Sequence, residues 1–105
     1  MKLYLVGRRD LAPGLLAAQL VHAQRQFQAD HPVRELAWYT GSNTLALLSV
    51  ENEEELLDLA ERVRQSGLAV SVWREPDLDN AATAIAIDPD GRRFVRNLPL
   101  ALAAA

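Results

Sequence analysis

Residues 44–74 read TLALLSVENEEELLDLAERVRQSGLAVSVWR, and the change of hydrophobic period along them decides the fold. TLALLSV, 44–50, is an apolar run of strand length, continuous enough to be covered on both faces. Asn52 then stands as a helix N-cap, with Glu55 three residues on to complete a capping box. Leu56, Leu59, Ala60 and Val63 follow at helical spacing, acids fill the first turn, and Arg62 and Arg64 fill the last. Gly67 is placed to end the helix, and LAVSVWR, 68–74, resumes as a strand.

The same alternation extends outward. KLYLVG, 2–7, reads as a buried strand, RRDLAPG as a loop, and Pro13 as the opening of a helix over about 14–29. Leu16, Leu20, Ala23 and Phe27 form its apolar stripe, and Leu15, Gln19, His22 and Gln26 form the neighbouring stripe. His31-Pro32 ends that helix, and TGSN, 40–43, is a turn. On the other side EPDLDNAA, 75–82, is a loop rich in carboxylates, TAIAI, 83–87, a fourth strand, and DPDG, 88–91, a turn with Pro second and Gly fourth. NLPLALAAA, 97–105, closes as a short helix capped by Asn97, unless RRFV, 92–95, pairs back as a hairpin strand. Strands alternating with helices predict one α/β domain over residues 1–105: three layers, α/β/α, around a small mixed, mostly parallel four-stranded sheet.

Composition narrows the function classes. Half of the 105 residues are hydrophobic, 24% are charged, and there is no cysteine, so disulfides, thiolate metal sites and a cysteine nucleophile are excluded. No run reaches the length of a membrane helix, and a cytoplasmic setting is expected. The first 24 residues carry paired arginines and an apolar run, as a leader would, but Asp10, Pro13 and Gln19 interrupt it, and cleavage after Ala23 would remove the first strand and helix. The net charge of −3 hides a division. Residues 1–34 hold Lys2, Arg8, Arg9, Arg25 and Arg34 against Asp10 and Asp30, and Arg92, Arg93 and Arg96 follow the last strand. Residues 51–61 hold six acids and no cation, which the helix dipole and a solvated face account for. A polyanion would therefore meet one face only. Two histidines nine residues apart make a poor ligand set, and neither a metal nor another cofactor is expected.

VGRRDL, then GLLAAQLVHA, then TGSNTLALLSV and EELLDLAERVRQSGLAVSV, resemble in order and content the type-2 peptidyl-tRNA hydrolases of archaea and eukaryotes. That family has V-R-x-D-L at the end of its first strand, G-K-x-A-A-Q-x-x-H-A on the helix, D-A-G-R-T after a later strand, and a threonine opening the last strand. Gln19, His22 and Ala23 match the helix motif, Arg8 or Arg9 with Asp10 and Leu11 match the first loop, and Thr83 matches through TAIAIDP. Two positions depart. The family's helix lysine is Leu15 here, and D-A-G-R-T is replaced by EPDLDNAA, which leaves Glu75 or Asp77 as the stand-in for the family's carboxylate.

The resemblance implies hydrolysis of the ester joining a peptide to the 3′ end of tRNA. That reaction needs a water held by a base, a donor to the developing oxyanion, and cations for the nucleic acid. In this chain His22 is the candidate base or orienting group, Gln19 the candidate donor to the substrate carbonyl or its oxyanion, Glu75 or Asp77 the carboxylate that positions His22 or the water, and Thr83 a further hydroxyl. Arg8, Arg9, Arg93 and Arg96 are the candidates for phosphate contacts. Trp38, Tyr39 and Trp73 are large enough to stack on a terminal base, although core packing is the simpler use of each. A homodimer is expected, from the family and from the apolar LPLALAAA. Two other readings stand beside the hydrolase: a relative that binds tRNA, a ribosomal component or a protein without cleaving anything, and a hydrolase or binder of another small ester or amide, which the acidic loop suits.

Overall fold

A computed structural model describes residues 1–103; Ala104 and Ala105, the end of the expected closing helix, lie outside them. Strand β1 (Lys2–Arg8) leads into helix α1 (Pro13–Asp30), which runs with one break at His31 into α2 (Pro32–Gly41). Strand β2 (Thr44–Val50), helix α3 (Glu53–Gln65) and strand β3 (Val70–Glu75) follow, then a single 3-10 turn at Pro76–Leu78 and strand β4 (Ala81–Ile87). A second such turn at Pro89–Gly91 leads to the short helix α4 (Arg92–Val95).

The four strands lie in the order β2-β1-β4-β3. The sheet is mixed, but the expectation that it is mostly parallel is corrected: β1 pairs in parallel with β2, whereas β4 pairs antiparallel with both β1 and β3. The reason is connection length. A parallel neighbour needs a crossover of about a dozen residues, which α1 and α2 supply between β1 and β2. Only five residues join β3 to β4; Asp79 and Asn80 take positive φ there and Asn80 N–H closes on Glu75 O at 3.0 Å. That reversal places β4 between β1 and β3, so three strands point one way and the fourth runs against them.

Alternation in β1 divides the core. Leu3 and Leu5 face α1 and α2 with Leu16, Leu20, Phe27 and Trp38, while Tyr4 and Val6 face α3 with Leu56, Leu59 and Val63. Alanines at 84 and 86 let α1 sit close to the sheet. Gly7 continues this: a Cβ there would run into the Leu16 side chain and stand 3.1 Å from Leu20 Cδ2.

α3 has its expected cap, Glu55 N–H to Asn52 Oδ1 at 3.0 Å, but the Glu55 carboxylate reaches the N–H of Glu51 at 2.8 Å, one residue further out than in a standard capping box. Four other expectations are corrected. Pro32 does not simply end α1; it opens α2, where Trp38 is buried and donates to Thr44 O at 2.7 Å. β2 is an edge strand, covered at Leu48–Val50 and exposed at Thr44 and Leu45. RRFV is helical, so it forms no hairpin strand. The segment after Asn97 is not a helix: Ser49 N–H bonds to Pro99 O and Ala101 N–H to Leu47 O, which uses the free edge of β2.

Candidate active site

At the carboxyl ends of β1, β2 and β3, where β4 begins, three polar side chains from distant parts of the chain meet beneath α1. Gln19 is 1% exposed and Thr83 wholly buried, so each must find its partners inside. Thr83 Oγ1 donates to Gln19 Oε1 at 2.7 Å, and Gln19 Nε2 donates to Glu75 Oε1 at 3.2 Å. A carboxylate only accepts, so it fixes which end of the amide faces it, and the hydroxyl then has to donate to the other end. The second carboxylate oxygen of Glu75 accepts the N–H of Asp77 at 3.2 Å. That N–H first, and then the Gln19 amide, hold the Glu75 carboxyl below its ordinary range; desolvation opposes them, and the positive charge available at His22 adds to them.

His22, one turn after Gln19 on α1, is exposed. Its ring lies flat on Trp73 of β3, with centroids 4.6 Å apart and 20° between planes. The stack lies beside Glu75, two residues along the same strand. Trp73 carries the one side-chain polar atom among the described residues that is buried without a partner, its indole Nε1. That N–H lies near enough to Glu75 to favour the carboxylate, but not in the geometry of a hydrogen bond.

Gln19, His22, Glu75 and Thr83 are thus brought together, and Asp77 takes part through its backbone while its side chain is exposed. Glu75 is therefore the carboxylate of the cluster. The Gln19 amide has both ends engaged, by Glu75 and Thr83, and almost no exposed surface. Thr83, equally buried, holds Gln19.

The arginines divide. Arg8 grips Asp10 with two hydrogen bonds of 3.0 and 2.9 Å and donates to Ala82 O at 3.1 Å, so it braces the loop after β1 against β4. Asp10 in turn holds the Arg8 guanidinium above its usual value, and Arg8 draws the Asp10 carboxyl down. Arg9 pairs with Glu51 at 2.9 Å, and both are largely exposed. Arg93 lies over the Phe94 ring at 4.5 Å, and Arg96 caps α4; both sit in the layer of α3, across the sheet from α1. Acids also reach the rim, where Glu53 Oε2 accepts the N–H of Ala82 at 2.7 Å.

Glu53 was not legible as a rim residue, and Trp73 was legible only as a surface for a substrate base or as part of the core. A glutamate in the first turn of a helix has a complete local explanation, and only the tertiary fold brings it to Ala82, while the stack of Trp73 on His22 depends on α1 lying over β3. Trp38 is used in the core, and Tyr39 is exposed on α2, away from this cluster.

The family described as peptidyl-tRNA hydrolase PTH2 matches residues 1–102. A curated relative from Haloquadratum walsbyi, named peptidyl-tRNA hydrolase, is 33% identical over 97 residues, which cover 86% of this chain and 87% of that one.

Proposed function

The chain belongs to the peptidyl-tRNA hydrolase PTH2 family, and from that premise we propose that residues 1–105 act as one catalytic domain that hydrolyses peptidyl-tRNA at the site built on Gln19, His22, Glu75 and Thr83. The observation that carries this reading is the convergence of those four side chains at one end of the sheet, beside an exposed imidazole.

His22 takes a proton from water, and the oxygen attacks the ester carbonyl carbon. The bond from that carbon to the ribose oxygen then breaks, and the imidazolium returns the proton to the leaving oxygen, giving a free peptide acid and a tRNA with its terminal hydroxyl restored. Glu75, kept ionised by its two donors, favours the imidazolium during the step. Gln19 and Thr83 hold Glu75 in place.

Exposed ion pairs contribute only about 0–1 kcal/mol, so a tRNA phosphate can displace Glu51 from Arg9. Arg93 and Arg96 supply further contacts from the other layer, and Arg8 is too firmly held to do so. A peptidyl-tRNA substrate supports a cytoplasmic setting; among the described residues no helix is long and apolar enough to cross a membrane.

A homodimer is supported by the groove of about 730 Å³ between α1, α2 and β2, where Val21, Leu36, Tyr39, Leu45 and Leu102 leave apolar surface in water. Sedimentation over a range of concentrations tests it, and a monomer throughout would remove it.

The activity is tested by single-turnover cleavage of a peptidyl-tRNA by wild type, His22→Ala and Glu75→Gln at two salt concentrations. Cleavage by wild type with losses of about a hundredfold or more in the variants is expected if His22 is the base. Wild-type turnover that both variants retain would move the chemistry elsewhere.

A further inference from the structure

Trp73 packs only in part against the core beneath α1, and its indole makes no hydrogen bond within the cluster. It is half-buried rather than buried, its indole Nε1 is shielded from water without a partner, and one face of its ring is covered by His22. A buried donor left unpaired costs free energy, so a tryptophan here has a compensating use. Packing alone would be served by an aliphatic side chain with no orphaned N–H.

What tryptophan adds is a flat surface. An exposed histidine on a helix samples several rotamers, and each gives its ring nitrogens a different heading. The stack at 4.6 Å and 20° selects one of them and keeps the imidazole beside Glu75. Leu15, in the first turn of α1, offers no cation to this end of the helix, so proton transfer falls on an imidazole whose heading must be fixed by something else. β3 is well suited to supply it. Trp73 and Glu75 stand on the same strand, so the ring that orients His22 and the carboxylate that faces it move together.

Resting on the hydrolase reading above, we propose that Trp73 is a positioning residue for the reaction, which acts by stacking on His22 and holding its ring in the heading that takes the proton from water.

The test is a kinetic cycle on the full chain. Trp73→Leu removes the ring, Trp73→Phe keeps a ring without the N–H, and each is made in wild type and in His22→Ala. Trp73→Leu should lower kcat by about tenfold with KM unchanged, and Trp73→Phe by no more than about threefold. In the His22→Ala background Trp73→Leu should cost nothing further, because no imidazole is left to orient; a general packing role would give the same loss in both backgrounds. Tryptophan fluorescence supplies a reading independent of turnover: His22→Ala should raise the Trp73 emission by removing its stacked neighbour.

Equal losses in the two backgrounds overturn the proposal. A rise in KM at constant kcat does so too, since it would make the stack a platform for a substrate base. Trp73→Phe falling as far as Trp73→Leu would assign the effect to the N–H and refute the stack. A wild type that cleaves nothing overturns the hydrolase reading itself, a result distinct from all of these.

Discussion

Replacing Gln19 with leucine tests the buried amide that joins Thr83 to Glu75. The two side chains are close in size, so little cavity is created and the cost lies in the groups left behind. The wholly buried Thr83 hydroxyl loses the acceptor it now holds at 2.7 Å. Orphaning such a group costs about 1–3 kcal/mol. Glu75, itself buried, loses one of its two donors, which adds to the cost. For a domain of this size that translates into a fall in Tm of roughly 5–20 °C, at about 4–8 °C per kcal/mol. Thr83→Val alone orphans Gln19 Oε1 at a similar cost. The double variant leaves neither orphan, so it should lose less than the sum of the single variants by about 1–2 kcal/mol. Urea and thermal unfolding of the four proteins measure this.

Activity adds a second reading. The Glu75 carboxyl is held low first by the Asp77 N–H and then by Gln19, so losing the amide lets it rise toward its ordinary value of 4.5. The ionised form is then lost at a higher pH as acid is added. The acid limb of the kcat profile should shift upward in Gln19→Leu and stay near that of wild type in Thr83→Val. Stabilities that add to within about 0.3 kcal/mol would show that amide and hydroxyl share no bond, and would refute the cluster as described.

Leu15→Lys should raise both tRNA affinity and cleavage rate, because the position is exposed and a lysine stem can lie on apolar surface while its charge stays in water; filter binding should show a slightly steeper loss of affinity with salt. Burial pushes the Asp88 carboxyl up, but Arg34, at 2.7 and 2.8 Å, and the Asp90 N–H outweigh it and hold it low. Asp88→Asn should therefore cost about 2 kcal/mol near neutral pH in denaturant titrations. A depressed folded value means the advantage of wild type is present above the unfolded pKa of about 4 and disappears as pH falls through the folded one; an advantage that persisted in stronger acid would contradict the assignment. Gly7→Ala drives a methyl into the Leu16 side chain, and should cost about 1–3 kcal/mol and lower kcat by displacing α1 with Gln19 and His22; an unchanged Tm would show that Leu16 rotates away freely.

Local signals in the chain were sufficient for most of its elements. α3 was legible to its ends because cap, dipole complement, apolar stripe and terminal glycine agree, and α1 because its stripe runs from Leu16 to Phe27 without interruption. Helical spacing alone put Gln19 and His22 on one side of α1. The reading failed where local chemistry is ambiguous. Pro32 serves equally as the stop of one helix and the first residue of the next, and the segment after Asn97 is helix-compatible in composition but is drawn out along the edge of β2.

The sequence by itself determined the alternation of strands and helices, the two apolar faces of β1, and a family motif on α1, since each depends on neighbours within about a turn or a strand. Tertiary structure decided the rest. Inserting β4 between β1 and β3 brings Thr83 beneath Gln19, 64 residues away, and Glu75 within 3.2 Å of the same amide, 56 residues away. It also turns Trp73 from one apolar residue among several into the surface on which His22 lies, while the parallel pairing of β1 with β2 brings Glu51 to Arg9. Hydrophobic period records which face a residue takes, but not which distant strand becomes its neighbour, and it is the neighbour that makes an amide, a carboxylate and a hydroxyl into a site.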